Sequence, residues 1–322
     1  MYDVVIVGGG PAGLSAALVL GRSRRNVLLV DAGNPRNARS EAMHGFLSRD
    51  GTHPGEFLRC GREELVQYGV EVRSGTVLSS KPVENGFEVS LLDDSTIPCR
   101  KLLLATGVVD RVPSIEGIEQ FYGRSVHHCP YCDGWEYADA SVAVYGRGRS
   151  GFGLAIAMKT WTQDVVLCSD GASKLNGEQK EGLAAADIRV YEAPIKRLEG
   201  DAGKLQRIVF RDGSGIERRA MFFSTGNVQR SALPQSCGCS VTSKGAIKTT
   251  GGQRSTINGI WVCGDAAHDS QYVIVAAAHG ARAAMAINKD LQEEEQAVRL
   301  ETWRRSQLAA AAPAVATSAS EM

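Results

Sequence analysis

The chain has no excess of either charge: 36 Lys+Arg stand against 36 Asp+Glu over 322 residues. A balanced total supplies neither the counterion release that drives nucleic-acid binding nor the field that holds a protein to an anionic membrane surface, and it argues against both partners. No apolar run approaches the roughly 20 residues that cross a bilayer. The opening residues Met1-Tyr2-Asp3-Val4 offer no basic segment and no small-residue cleavage site, so a leader is not expected and a cytoplasmic location is. Eight cysteines, at 60, 99, 129, 132, 168, 237, 239 and 263, are spread too thinly for the disulfide framework of a small secreted domain. With 43% hydrophobic and 22% charged residues the bulk of the chain is globular, and its length suits about two domains of roughly 150 residues each.

What is abundant is glycine, with 36 residues. Two stretches share one scheme. Tyr2-DVVIVGGGPAGLSAALVL is an apolar strand, a turn with Gly8, Gly10 and Gly13, and a Leu/Ala helix; Ser141-VAVYGRGRSGFGLAIAM repeats the scheme with Gly146, Gly148 and Gly151. Each is followed by a second strand, Asn26-VLLVD and Asp164-VVLCS, and each unit closes on a short apolar strand that runs into Gly107 or Gly226. A third strand, Gly259-IWVCGDAA, has no glycine turn of its own and leads into an Ala-rich helix from Val273 to about residue 290. The expected fold is α/β, with two dinucleotide-binding (Rossmann-like, three-layer) domains, the second inserted into the first. The expected boundaries are 1–114 and 245–295 for the first domain, 115–244 for the insert, and 296–322 for a C-terminal tail whose end, from Ala309, is low in complexity.

In Gly8-x-Gly10-x-x-Gly13 one glycine makes the tight turn, one lets backbone N–H groups reach a pyrophosphate, and one lets helix and strand pack closely. Asp31 ends the next strand, where its carboxylate can accept from ribose hydroxyls. Far along the chain, Asp265 in Cys263-Gly264-Asp265-Ala266 is expected to begin a helix aimed at the same spot. A second anchor so distant favours a long ligand, FAD over NAD. The second turn is followed by Cys168-Ser169-Asp170, which offers no Arg pair for a 2′-phosphate and an acid that would repel one. Arg147 and Arg149 either meet a pyrophosphate or fill its place. NADPH is therefore disfavoured and NADH left open beside an empty site.

The remaining chemistry lies in His127-His128-Cys129-Pro130-Tyr131-Cys132-Asp133-Gly134. A C-x-x-C is a thiol–disulfide couple or half of a zinc site, the other half to come from His127, His128, Cys237 and Cys239. Its position, just ahead of the second glycine turn, favours a flavin partner and no metal. Asp133 is placed to exchange a proton with a leaving thiolate, or to serve as a cap. His127 and His128 are further candidate bases. Trp303 could cover the nucleotide cleft or pack as an ordinary helix residue.

The order of FAD turn, Ala105-Thr106-Gly107, CxxC-Asp-Gly, second glycine turn and terminal Gly-Asp-Ala resembles the low-molecular-weight thioredoxin reductases over residues 2 to about 290. The resemblance implies FAD held by Gly8, Gly10, Pro11, Ala12, Gly13, Asp31, Ala105, Thr106, Gly107, Gly264 and Asp265. It implies Cys132 as the thiol nearest the flavin, Cys129 as the interchange thiol, Asp133 as the acid–base residue, and a homodimer acting on thioredoxin. Departures from the family's NADPH pattern stand at Gly153-Leu154 and Cys168-Ser169-Asp170, and its Arg-Gln-Ala is replaced by Gln271-Tyr272-Val273. They resemble the branches that work without NADPH: ferredoxin-linked and deeply branching thioredoxin reductases, and oxidases of small dithiols that use O₂. The implied activity is electron exchange between flavin and Cys129/Cys132, onward to a protein disulfide. Oxidation of a small dithiol by O₂, or a non-catalytic flavoprotein redox sensor, are the alternatives.

Overall fold

The computed structural model describes residues 1–268 and 270–311. Val4, Val5 and Ile6, with Leu28, Leu29 and Val30, form continuous apolar runs buried on both faces, the signature of parallel strands covered on two sides. The first sheet places Glu71–Ser74, Val27–Asp31, Tyr2–Val7 and Thr96–Leu104 side by side, with Gly86–Leu91 and Val77–Val83 as an antiparallel flank and Ile260–Val262 paired to Thr96–Leu104. The second sheet runs Arg189–Tyr191, Val165–Cys168, Val142–Tyr145, Ala220–Phe223, Val126–His127. An antiparallel ribbon of Ile195–Asp201, Lys204–Phe210 and Gly215–Glu217 accompanies it. This is the α/β, two-fold dinucleotide-binding arrangement expected.

The two units are joined by a paired linker, Val108–Asp110 running antiparallel to Asn227–Gln229 with Asp110 opposite Asn227. After the return, Leu233, Cys239 and Ile247 already pack with Val5, Leu28 and Leu102 of the first sheet. The chain has thus rejoined the first core ahead of residue 245, where the sequence placed the return. Ser243-Lys244-Gly245 marks a surface turn inside that segment, and punctuation alone cannot tell a domain crossing from a turn.

The helix Val273–Ala311 also differs from expectation, because it does not stop near residue 290. Its first half is a close-packed partner of Pro11–Arg22: a Cβ at Gly280 would lie 1.9 Å from the Ala12 carbonyl oxygen, so the two backbones approach as only glycine permits. Ala283, Ala284, Ile287 and Leu291 fill the same core. Its acidic stretch is held down by one buried cation and three half-buried ones. Lys101, 4% exposed, reaches Asp290 at 2.7 Å and also Glu294. Arg254 meets Asp290 at 2.8 Å, Arg25 meets Glu295 at 2.5 Å, and Arg100 bridges Asp3 and Glu295. Residues 296–311, expected as tail, therefore continue a helix anchored at its middle, and Trp303 stands 59% exposed on that extension. The low-complexity end from Ala309 falls almost wholly outside the described residues.

Removing the buried ammonium would take from Asp290 and Glu294 the one buried cation they share, leaving Asp290 to Arg254 and Glu294 to Arg100. Lys101→Ala should therefore lower the stability of the flavin-loaded protein by about 3 kcal/mol, read as an earlier midpoint in urea. An unchanged midpoint would show that the helix is held by packing alone.

Candidate active site

The first glycine turn builds one wall of a cavity of about 410 Å³. Gly8 has φ +107°, and a Cβ there would sit 2.3 Å from the Ala105 oxygen; a Cβ on Gly13 would lie 1.9 Å from the Gly8 oxygen. Turn, helix and the strand ending at Leu104 are thus locked at backbone contact. Of the residues expected to hold FAD, Gly8, Gly10, Pro11, Ala12, Asp31, Ala105, Thr106, Gly107, Gly264 and Asp265 all line this cavity. Gly13 lies one layer behind, where its lack of a side chain serves packing.

The chemistry of this lining fits a flavin dinucleotide. A Cβ on Gly10 would meet no atom within 4 Å, so the turn opens onto free space of the kind a pyrophosphate needs. Thr106 Oγ1 is buried with no hydrogen-bond partner among the described residues, a polar atom awaiting one. Asp31 accepts from Gly9 N at 3.0 Å and Arg62 Nη2 at 2.8 Å, which orients its carboxylate at the cavity edge. Asp265 does not begin a long helix as expected. It lies in the 3₁₀ turn Gly264–Ala266, ahead of the helix Val273–Ala311.

A charged network that sequence reasoning missed runs through this wall. Arg36 donates to both oxygens of Asp110, at 2.9 Å from Nε and 2.5 Å from Nη2, and from Nη1 to Asp265 at 2.9 Å. Tyr122 donates to Asp110 at 2.9 Å, and His128 Nδ1 lies 3.7 Å from it. Burial opposes ionisation of Asp110, but the Arg36 guanidinium and the other donors win and hold its pKa below the usual carboxylate range. Burial instead pushes Asp265 up. For His128, burial outweighs the Asp110 carboxylate and the pKa falls below 6.5, which favours the neutral ring. Only the Asn34-Pro35-Arg36 turn after the second strand signalled any of this in sequence.

The redox pair enters the same cavity from the inserted unit. Cys129 and Cys132 are joined by a disulfide with Cα atoms 5.3 Å apart. Pro130 at the first helical position of Pro130–Asp133 sets the turn, and Cys129 is its N-cap. Cys132 and Asp133 line the cavity, whereas Cys129 is absent from its lining. Asp133 is not the cap: its Oδ1 lies 3.1 Å from Nδ1 of the buried His127, whose Nε2 reaches the Arg124 carbonyl at 3.0 Å. His127 is thus an orienting residue packed on Phe222, and His128 alone of the two faces the cavity.

The second glycine turn is folded on itself. Arg147 Nε donates to the Ser169 carbonyl at 2.6 Å and its Nη2 to that of Asp170. Asp170 is engaged in turn by Ile195 N at 2.8 Å and Tyr145 at 3.2 Å. Of the two sequence options for Arg147, the structure has it filling the space beside the strand end.

A family model described as pyridine nucleotide-disulphide oxidoreductase matches residues 2–283. The chain belongs to that family. Among curated relatives, the thioredoxin reductase tcpT of Claviceps purpurea is 32% identical over 82% of this chain and 86% of its own length. Among solved structures, HlmI superposes with a TM-score of 0.91 at 35% identity, covering 95% of this chain and 97% of that one. An oxidoreductase from Agrobacterium tumefaciens gives 0.84 at 32% identity over 90% and 98%. As a member of this disulphide oxidoreductase family, the chain is a thioredoxin-reductase-like flavin oxidoreductase, and FAD is the cofactor the family implies.

The other thiols of this oxidoreductase are set apart from its redox pair. Burial pushes Cys99, Cys168 and Cys263 up to about 12, which keeps them as inert thiols. Cys237 and Cys239, weighed as metal ligands, are both unbonded, and Cys239 is buried in the first core. No group of three metal-ligating side chains is found among the described residues. Trp303 does not line the cavity; Gln271, Tyr272 and Val273 do.

Because Gly10 meets no protein atom, Gly10→Val should leave the fold intact and abolish flavin retention; a variant that purifies yellow would remove the turn from the cofactor site. A second expectation concerns pH. The unfolded chain protonates His128 near 6.5, the folded chain only at lower pH, so the stability from keeping it neutral is complete above 6.5 and is lost as pH falls through the folded value. His128→Gln should make the fall in stability on acidification below 6.5 shallower, as read by denaturant midpoints at successive pH values.

Proposed function

We propose that the protein exchanges electron pairs between its flavin and an external thiol–disulfide couple through Cys129 and Cys132, without NADPH, and that the leading partner is a protein disulfide of the thioredoxin kind. One juxtaposition carries this reading: Cys132 opens on the cavity built by the first glycine turn, while Arg147 closes the second turn. When bound, FAD supplies a two-electron carrier able to connect this dithiol to a one-electron donor such as ferredoxin or to O₂.

The protein's own part is sulfur chemistry. In the oxidising direction an external thiolate attacks Cys129 Sγ, the Cys129–Cys132 bond breaks, and the electron pair leaves on Cys132 inside the cavity. The second external thiolate then attacks the sulfur of the mixed disulfide, Cys129 leaves, and the external couple is released as a disulfide. The reducing direction runs the same bonds backwards. Asp133, oriented by His127, is the proton carrier for Cys132, and neutral His128 stands beside it without adding charge.

A second reading, oxidation of a small dithiol by O₂, draws support from the outer side of the disulfide. Tyr131 and Trp135, two and six residues after Cys129, stand 76% and 77% exposed, leaving apolar surface near the disulfide open to solvent. Both readings keep the electron path and differ in direction. Assembly as a homodimer in the cytoplasm is part of the proposal.

Anaerobic spectrophotometry separates them. NADPH and NADH should leave the flavin oxidised, and dithiols should bleach it. Ferredoxin-driven bleaching followed by thioredoxin reduction supports the leading reading; peroxide formed from a small dithiol in air supports the second. Cys132→Ser should retain FAD and lose turnover. Rapid bleaching by NADPH, or turnover surviving in Cys132→Ser, would overturn the assignment.

A further inference from the structure

The dithiol belongs to the inserted unit, yet residues 129–136 are fastened from the other one. Tyr272, immediately before the helix Val273–Ala311, donates its hydroxyl to the Tyr131 carbonyl at 3.5 Å. The hydroxyl rests over Gly45, where a Cβ would come within 1.6 Å of it, and Gly45 has φ +72°. Next in sequence, His44 places Nε2 3.3 Å from Glu136 Oε1, just beyond the dithiol turn, and Nδ1 3.5 Å from Asp50. Asp50 also accepts from Gly45 N at 2.6 Å, which fixes the loop that carries His44 and the glycine beneath Tyr272. Beside Tyr272, Gln271 accepts from Asn227 Nδ2 of the returning linker at 3.0 Å. Tyr272 and His44 both line the cavity onto which Cys132 opens.

Domains joined by short linkers are expected to shift against one another unless their interface prevents it. Here two of the contacts between the units fall on the stretch that bears the sulfurs, while Arg39 and Glu41 meet Glu119 and Arg124 elsewhere. Gln271-Tyr272-Val273 is also where this chain departs from the pattern of the reductases it resembles.

We propose that Tyr272 and His44 are positioning residues, a two-jawed clasp that keeps Cys132 on the flavin cavity, and that residue 45 is glycine so that Tyr272 can seat. This rests on the proposed contact between Cys132 and the flavin, and is independent of the electron donor and of the direction of flow. The clasp is steric and polar: removing the jaws frees the dithiol turn, and so does filling the seat at residue 45.

Alkylation of the anaerobically reduced holoprotein by iodoacetamide, resolved by peptide mass, reads the position of each sulfur directly. In the parent protein Cys129 should react first and Cys132 slowly. In the double variant Tyr272→Ala/His44→Ala, Cys132 alkylation should rise about tenfold, the factor equivalent to about 1.4 kcal/mol of lost contacts. Gly45→Ala should raise it in the same direction with both jaws still present. Unchanged Cys132 reactivity in both variants overturns the clasp. Should the double variant not fold, His44→Cys/Glu136→Cys in a Cys60→Ser background, tethered by a short bis-maleimide while Cys129 and Cys132 are disulfide-bonded, takes its place. Tethering should keep Cys132 protected after reduction, and exposure of Cys132 despite the tether overturns the clasp. A chain that passes these tests but fails the donor titration retains the clasp and loses only the proposed activity.

Discussion

Cys132 and the first glycine turn share one cavity although they come from units whose covalent connection is the paired linker, and that shared wall constrains the rest of the molecule. Sulfur and isoalloxazine can exchange electron pairs only near van der Waals contact, on the order of 3–3.5 Å, so the position of one turn relative to another unit has to be held tightly. The disulfide turn meets this by using Pro130 to fix its backbone and His127 to fix Asp133. The first unit meets it by stacking turn, helix and strand at backbone distance through Gly8, Gly13 and Ala105.

The charged groups around the cavity follow from the same requirement. A dry pocket penalises isolated ions, and Arg36 answers by bridging Asp110 of the linker to Asp265 near the end of the first domain. The bridge ties three distant stretches of sequence to one point on the cavity wall. Burial favours the neutral ring of His128 beside it, and Asp133, next to Cys132, is oriented by His127. Cys99, Cys168 and Cys263 are kept out of the chemistry by burial, the opposite of what is asked of Cys129 and Cys132.

The second glycine turn keeps the packing of the first and sets a different side chain beside it. Gly146 and Gly151 still pack at backbone contact, as their counterparts Gly8 and Gly13 do. What differs is a side chain: Arg147 turns into the space beside Ser169 and Asp170 and satisfies their carbonyls itself. The glycines are therefore required by the helix–strand packing whether or not a nucleotide is bound.

Local chemistry was legible in the sequence wherever spacing along the chain sets it. The two glycine turns, the parallel strands, the C-x-x-C and the acid beside it depend on neighbours a few residues apart, and the backbone geometry of a turn or strand follows from them. Partnership across the fold was not legible. Arg36 with Asp110 and Asp265, Tyr272 over Gly45, and Lys101 beneath Asp290 and Glu294 join residues up to 229 positions apart, and nothing in the periodicity of either segment encodes the other. The long helix was misread for the same reason, since its acidic stretch reads as solvated until the buried lysine beneath it is seen. Sequence determined which groups carry the chemistry; tertiary structure decided which of them face one another, because long-range packing alone sets the distance between two side chains.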